Sequence, residues 1–206
     1  LQTTYISATG QTISDSFNSP LQSIETTSAL VASVFIPDTT PPSLMSFNLD
    51  LNLGALNLTF SETVDVNTFN PSYLVLQSAY NDSEVSLPIS AGVQSSSLPS
   101  SASSFVYRLT TSDLNFIKLN MALIGSSITN TFLWINRTAI RDMAGNYVNA
   151  ISPNSALAAS SPQLDHSPPT LSTFSFDLNT GQLLLTFSEV VAGSTVVVQN
   201  LIFTSS

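Results

Sequence analysis

The stretch DTTPPSLMSFNLDLNLGALNLTFSETV at residues 38–64 returns, 127 positions later, as DHSPPTLSTFSFDLNTGQLLLTFSEVV at residues 165–191. The similarity reaches further, because residues 1–79 align without a gap on residues 128–206, with 28 of the 79 positions identical. Self-similarity at a fixed period is typical of repeated structural modules. We therefore expect a complete module at 38–164, the back part of a module at 1–37 and the front part of another at 165–206.

Apolar and polar side chains alternate along the repeated stretch. Leu56, Leu58 and Phe60 alternate with Asn57 and Thr59, which is the period of a half-buried β-strand. Short apolar runs bounded by Pro, Gly, Asn and Ser are typical of the strands of a β-sandwich. They predict strands at 5–8, 44–51, 55–61, 73–77, 105–109, 131–135, 171–178, 182–188 and 195–203.

The segments between these runs carry turn signals. NLGA at 52–55 and NTGQ at 179–182 lie at matching points between two strands. Asn and Gly tolerate positive φ, so we expect a tight hairpin at both places. The stretch AGVQSSSLPSSASS at 91–104 has low complexity and predicts an exposed loop.

One helical turn is predicted at 112–118. Ser112 or Asp113 is the expected N-cap, because Ser and Asp side chains accept hydrogen bonds from the first amides of a helix. Leu114 and Ile117 would then face inward. The chain as a whole is predicted to be all-β, with this turn as its helical part.

The composition excludes some classes of partner. Only 8% of the residues are charged, and thirteen acidic residues against four basic ones give a net charge of −9. Nucleic acid binding needs the opposite balance, so we expect no nucleic acid partner. No apolar run approaches the eighteen or so residues that span a bilayer, and we expect no membrane insertion. There is no cysteine, which excludes disulfides and thiolate metal sites.

Three segments carry a resemblance to a known family: DTTPP at 38–42, LTFSETVD at 58–65 and AIRDMAGNYV at 139–148. In this order and spacing they resemble bacterial-type Ig-like repeats of surface-layer, adhesin and fibre proteins, which are also seen in large surface proteins of microbial eukaryotes. The resemblance implies an Ig-like antiparallel β-sandwich that acts as a spacer or building block at the cell surface. The N-terminal copy departs from it, with FNS at 17–19 in place of AGN at 144–146. The sequence therefore does not predict whether both copies form the same turn there.

Catalysis has few candidates. The only histidine, His166, lies between Asp165 and Ser167 in an extended linker, where adjacent residues cannot form a Ser-His-Asp relay by themselves. The matching residue in the other copy is Thr39, so the module does not need a histidine there. No sequence feature places two carboxylates across a cleft. We predict that the chain is not an enzyme.

Acidic residues that recur in both copies allow two interpretations. The first is turn chemistry, because Asp side chains cap backbone amides a few residues on. The second is Ca²⁺ at the module junctions, which takes oxygens from carboxylates and carbonyls. The candidate ligands are Glu62, Asp142 and Asp165. The recurring pairs are Asp15/Asp142, Asp38/Asp165, Asp50/Asp177 and Glu62/Glu189.

Attached sugars are a candidate solubilising layer for a chain with so little charge. N-glycosylation sequons begin at Asn57, Asn81 and Asn136. Asn57 is expected on the outward face of its strand, Asn81 in a polar turn, and Asn136 partly covered beside Trp134. The Ser-rich stretches suit O-linked sugars.

The back part at 1–37 and the front part at 165–206 are complementary, and together they lack only the equivalent of 80–127. Each alone would expose strand edges and an apolar face. We expect an extracellular structural subunit whose copies join head-to-tail by strand addition into a helical filament. The alternative is an adhesion or ligand-binding module of a longer tandem-repeat cell-surface protein. The residues expected at the contact are Tyr5, Ile6, Leu30, Phe35, Val197, Leu201 and Phe203.

Overall fold

The computed structural model describes residues 4–81, 84–92 and 98–204. The chain divides into two compact units, Leu1–Thr39 and Thr40–Ser206, and each is described by itself. The named strands of both units pair antiparallel, and the described residues contain a single α-helix, which confirms the predicted all-β class.

The first unit is small and has no buried side chain among its described residues. Strand β1 (Tyr5–Ile6) pairs antiparallel with β2 (Leu30–Val31). The chain continues past β1 to Ala8, which exchanges both backbone hydrogen bonds with Ile24. The predicted strand at 5–8 is therefore present. Residues 5 and 6 pair with β2, and Ala8 pairs with Ile24.

The second unit contains two facing antiparallel sheets. One has the order β3-β4-β7, with β9 beside the far end of β4, and the other has the order β10-β8-β5-β6. The strands are β3 (Leu44–Asp50), β4 (Ala55–Asp65), β5 (Leu74–Gln77), β6 (Ser86–Pro88), β7 (Ser101–Arg108), β8 (Phe132–Ile135), β9 (Arg141–Asp142) and β10 (Leu157–Ala158).

The core lies between these sheets. Leu56, Leu58 and Phe60 are buried as their alternation predicts, and they meet Leu76 and Leu133 of the second sheet in one cluster. Burial of such side chains stabilises a domain by roughly 1.5–3 kcal/mol each. This packing confirms the sandwich.

The returning segment 160–163 lies beside β3 and runs parallel to it. The amides of Ser160 and Gln163 donate to the carbonyls of Phe47 and Leu49, at 2.9 and 2.8 Å. The amide of Leu51 donates back to the carbonyl of Gln163 at 2.9 Å. The last strand-like segment of the module is thus joined directly to its first strand.

Helix α1 (Thr111–Leu119) is longer than the predicted turn and begins earlier. Its N-cap is Thr110, whose hydroxyl accepts from the Asp113 amide at 3.1 Å, so the predicted cap at Ser112 or Asp113 is wrong. The Asp113 carboxylate is buried and accepts from the amide and hydroxyl of Ser90, at 3.0 and 2.8 Å. Asp113 is therefore used to anchor a neighbouring loop.

After α1 and β8–β10, the front part holds β11 (Leu171–Asp177) and β12 (Gln182–Phe187), an antiparallel pair. The predicted strand at 195–203 is wrong. One-turn 3-10 helices occupy Gly193–Thr195 and Val198–Asn200, and Val196, Val197 and Leu201 beside them are extended. A strand needs a hydrogen-bonding neighbour, and no described segment offers one there.

Other boundaries also differ from prediction. Strand β7 starts at Ser101, so the predicted exposed loop at 91–104 ends earlier, and residues 93–97 of it lie outside the described residues. The short strands β6, β9 and β10 were not predicted. Both predicted hairpins are confirmed, with φ of 60° at Gly54 and 68° at Gly181.

Backbone pairings recur 127 residues apart. Leu44 pairs with Phe60 in β3–β4, and the register then shifts; Leu171 pairs with Phe187 in β11–β12, with the same shift. The β1–β2 register matches that of β10–β8 in the same way, residue for residue.

The first unit forms the same turn at residues 17–19 as the complete module forms at residues 144–146, although the two sequences differ there. Asn18 has φ of 64° at the place of Gly145, whose φ is 95°. Asn is among the few residues that enter this left-handed region readily. The Asp15 carboxylate accepts from the amides of Phe17 and Ser19, at 2.9 and 2.8 Å.

Candidate functional site

The residues predicted to form an assembly contact are all exposed. In the first unit Tyr5 and Ile6 are 60% and 61% exposed, and in the second unit Phe203 is 61% exposed. Apolar side chains clustered in this way mark interaction surfaces more often than isolated ones do. The other four are Leu30, Phe35, Val197 and Leu201.

In the front part Leu201 and Phe203 line an apolar groove. Phe203 stacks on Phe176 with ring centroids 5.3 Å apart and meets the edge of Phe174 at 6.5 Å. The groove has a volume of about 120 Å³. Its other lining residues are Leu171, Leu183, Leu185, Leu201 and Ile202.

The complete module shows what the same positions look like when covered. Phe47, Leu74 and Leu76 correspond to Phe174, Leu201 and Phe203, and all three are buried in the sandwich core. Residues from 128–164 cover them there. The buried contributors from that segment include Leu133, Ile135, Ile140, Val148 and Ala159.

The first unit holds the equivalents of these covering residues. Ile6, Ala8, Ile13, Leu21 and Ala32 correspond to them one by one. None of the five is buried, so the side chains at these positions are at least partly accessible in the first unit.

A single cation connects the front part to the complete module. Lys118, at the end of α1, contacts Asp165 at 2.5 Å and Glu189 at 2.6 Å, with side chains 11%, 11% and 17% exposed. Burial opposes ionisation of Asp165, but the hydrogen bonds from Lys118 and the Ser167 amide outweigh it and lower its pKa to about 2. The same burial opposes the charge of Lys118, and the two carboxylates overcome it to raise the pKa.

Sequence reasoning missed Lys118. The available signal was that Lys118 is the only lysine in the chain. It lies in the last turn of an amphipathic helix, where a cation is favoured by the helix dipole. Its partners are 47 and 71 residues further on, and only the sandwich brings them together.

The predicted calcium ligands are not brought together as a set. Carboxylate oxygens of Glu62 and Asp142 lie within 4.8 Å of each other, whereas Asp165 is held by Lys118. Asp142 accepts from the amides of Ala144 and Asn146, both at 2.8 Å. Burial raises the pKa of Asp142, but these bonds and the Asn146 side chain lower it overall. Calcium binding stays a prediction.

Turn chemistry is present at two of the recurring pairs, Asp15/Asp142 and Asp50/Asp177. The Ser19 and Phe17 amides lower the pKa of Asp15, and the Thr180 hydroxyl and Asn179 amide lower the pKa of Asp177. Asp50 accepts from the Leu53 amide at 2.9 Å. The carboxylates hold turns at the same places in each copy.

The sequon asparagines are all exposed. Asn57 lies on the outward face of β4, as predicted, and accepts from the Ser104 hydroxyl at 3.2 Å. Asn136 was expected to be partly covered but is exposed, and its side-chain oxygen accepts from the amide and hydroxyl of Thr138. Asn81 is exposed, while residues 82 and 83 lie outside the described residues.

Among the described residues, His166 makes no side-chain hydrogen bond to an acid. Its backbone amide donates to the Asn52 side chain at 2.8 Å, and the neighbouring Asp165 carboxylate is held by Lys118 and the Ser167 amide. An acid that orients a histidine must accept from its ring. Asp165 is used instead to fix the junction.

None of the helices in the described parts of the chain has the length and apolar character needed to cross a bilayer. Comparison of this chain with protein-family models, with curated proteins and with solved structures finds no match.

Proposed function

We propose that this chain is a structural subunit of an extracellular filament or surface fibre. Copies join head-to-tail, with the front part of one copy covered by the back part of the next. The observation that carries the proposal is the exposed apolar groove around Phe203, whose counterpart in the complete module is core. A heterologous, head-to-tail contact of this kind propagates when its rotation does not close.

A structural role also suits the chemistry of the described residues. Asp15, Asp50, Asp142 and Asp177 hold turns, and Asp165 and Glu189 pair with Lys118. The core cluster of the sandwich is formed by hydrophobic side chains. We propose no catalytic step and no required cofactor. Calcium at Glu62 and Asp142 would add stiffness to the complete module without changing the proposed role.

The purified 206-residue polypeptide is expected to form filaments at micromolar concentration. Negative-stain electron microscopy and sedimentation velocity measure this directly. The expected result is a distribution of lengths that shifts to longer filaments as concentration rises, because the contact is an equilibrium between copies. A chain that stays monomeric at all soluble concentrations contradicts the proposal and favours a module of a longer array.

Native material is expected to carry sugar mass at Asn57 or Asn136, since both are exposed beside their sequon hydroxyl residue. Intact-mass and peptide mass spectrometry before and after glycosidase treatment measure it. Removal of the sugars is expected to lower solubility more than melting temperature, because the sites lie outside the core. Bare asparagines in native material would contradict this prediction alone.

A further inference from the structure

We infer that the joint between copies has a fixed register, in which residues 5–8 of one copy pair antiparallel with residues 201–204 of the next. Leu201 lies opposite Ala8, and Phe203 lies opposite Ile6. This inference rests on the proposed function and specifies its contact. The occupant of the groove is therefore the back part of a second copy.

The template for this register is the β5–β8 pair inside the complete module. Leu74 pairs with Ile135, and Leu76 pairs with Leu133. Adding the 127-residue period to the β5 residues and subtracting it from the β8 residues converts these pairs into Leu201 with Ala8 and Phe203 with Ile6. Register is strongly specified where one face of a strand is buried, because a one-residue slip turns that face outward.

Both partners already hold the geometry that the joint needs. In the back part, the Ala32 amide donates to the Thr4 carbonyl at 2.9 Å, as Ala159 does to Thr131 at 2.8 Å. In the front part, the hydroxyl of Thr195 donates to the Ala192 carbonyl, as Thr68 does to Asp65, both at 2.7 Å. Preorganised partners lose less conformational entropy on association.

Segment 160–163, which runs beside β3, predicts a second backbone contact between copies. Its counterpart at 33–36 would lie beside β11, with the amides of Ser33 and Ile36 donating to the carbonyls of Phe174 and Phe176. The two β11 residues are 60% and 47% exposed in the single chain. Backbone contacts on two different strands fix the orientation of the joint as well as its register.

A second copy is the occupant that the groove fits best. The groove is apolar and uncharged, so it selects an apolar strand rather than an acidic or basic peptide. The back part supplies Ile6, Ala8 and Ile13 with the spacing that the complete module uses to cover the equivalent groove. It is also present at the same concentration as the groove in any solution of this chain.

Cysteine pairs test the register, since the chain has no cysteine of its own. In the variant Ser7→Cys/Ile202→Cys the two substituted residues are directly opposite, within disulfide reach. In the matched control Ser7→Cys/Thr204→Cys they become opposite only if the strands slip by two residues. Mild oxidation followed by non-reducing electrophoresis is expected to give a covalent ladder for the first variant alone.

The outcomes separate this inference from the proposed function. A ladder only for the control variant, or for neither variant while filaments are present, overturns the register and leaves the fibre standing. If the wild-type chain forms no filaments, the proposed function itself fails.

Hydrogen exchange on the unmodified chain covers the case in which both variants fail to assemble. Assembly of the wild type is expected to slow exchange at least tenfold at residues 5–8, 33–36 and 201–204 together. Filaments without this protection overturn the inference.

Discussion

Replacing Phe203 by aspartate is expected to keep the chain monomeric while the complete module stays folded. The side chain is exposed in the single chain, so the change costs the monomer little. In the joint it would take the place of the fully buried Leu76, where an ionised carboxylate has no partner. Loss of the apolar contact alone amounts to about 2–3 kcal/mol, and the charge adds to it. Association is expected to weaken by more than about 100-fold.

The matched control is Phe17→Asp, which makes the same chemical change at a residue that is 88% exposed. Its counterpart in the complete module, Ala144, is also exposed, so the joint should leave this position in solvent. Phe17→Asp is expected to assemble like the wild type in sedimentation velocity. Equal loss of assembly in both variants would mean that added negative charge, and not the groove, controls association.

Replacing Lys118 by methionine is expected to destabilise the attachment of the front part by about 2 kcal/mol at pH 7. The change keeps the length and apolar stem of the side chain but leaves Asp165 and Glu189 together without a cation. Thermal unfolding and hydrogen exchange at 171–187 measure the loss. The control is Arg137→Met, which removes one positive charge from an exposed position.

The effect of Lys118→Met has a defined pH dependence. The folded pKa of Asp165 is about 2, below its ordinary value of 3.8, so its contribution is complete above about pH 4. That contribution is lost as pH falls from about 4 towards 2. The raised pKa of Lys118 means that its contribution is present below pH 10.5 and lost as pH rises beyond it. A wild-type-to-variant difference that stays constant between pH 7 and 2 would contradict the ion pair as the cause.

Strands were predicted most accurately where the alternation of apolar and polar residues lies within a single segment. Leu56, Leu58 and Phe60 alternate within β4, and their burial follows from local periodicity alone. Strand β9 could not be found in this way, because it is two residues long and exists only through its pairing with the end of β4. The error at 195–203 has the same origin, since apolar β-branched residues there form a strand only beside a partner.

The repeat allowed the exposed surfaces to be predicted, because it shows which residues each part lacks as neighbours. It could not predict the Lys118 contact, since α1 lies in the portion that neither partial copy contains. The aspartate turns were predicted as one of two interpretations, and local hydrogen bonds within four residues show turn chemistry at Asp15 and Asp142, while calcium binding stays a prediction.

The parallel contact between β3 and segment 160–163 determines how the complete module would respond to tension. The chain enters the module at the start of β3 and leaves it after Gln163, so a pull on both sides draws these neighbouring segments in opposite directions along their length. The bonds of Ser160, Gln163 and Leu51 are then loaded together in shear rather than opened one by one. Forced unfolding is governed by the rate of the slowest opening event, and a shear contact makes that event a concerted one. We therefore expect the complete module to resist extension along the chain.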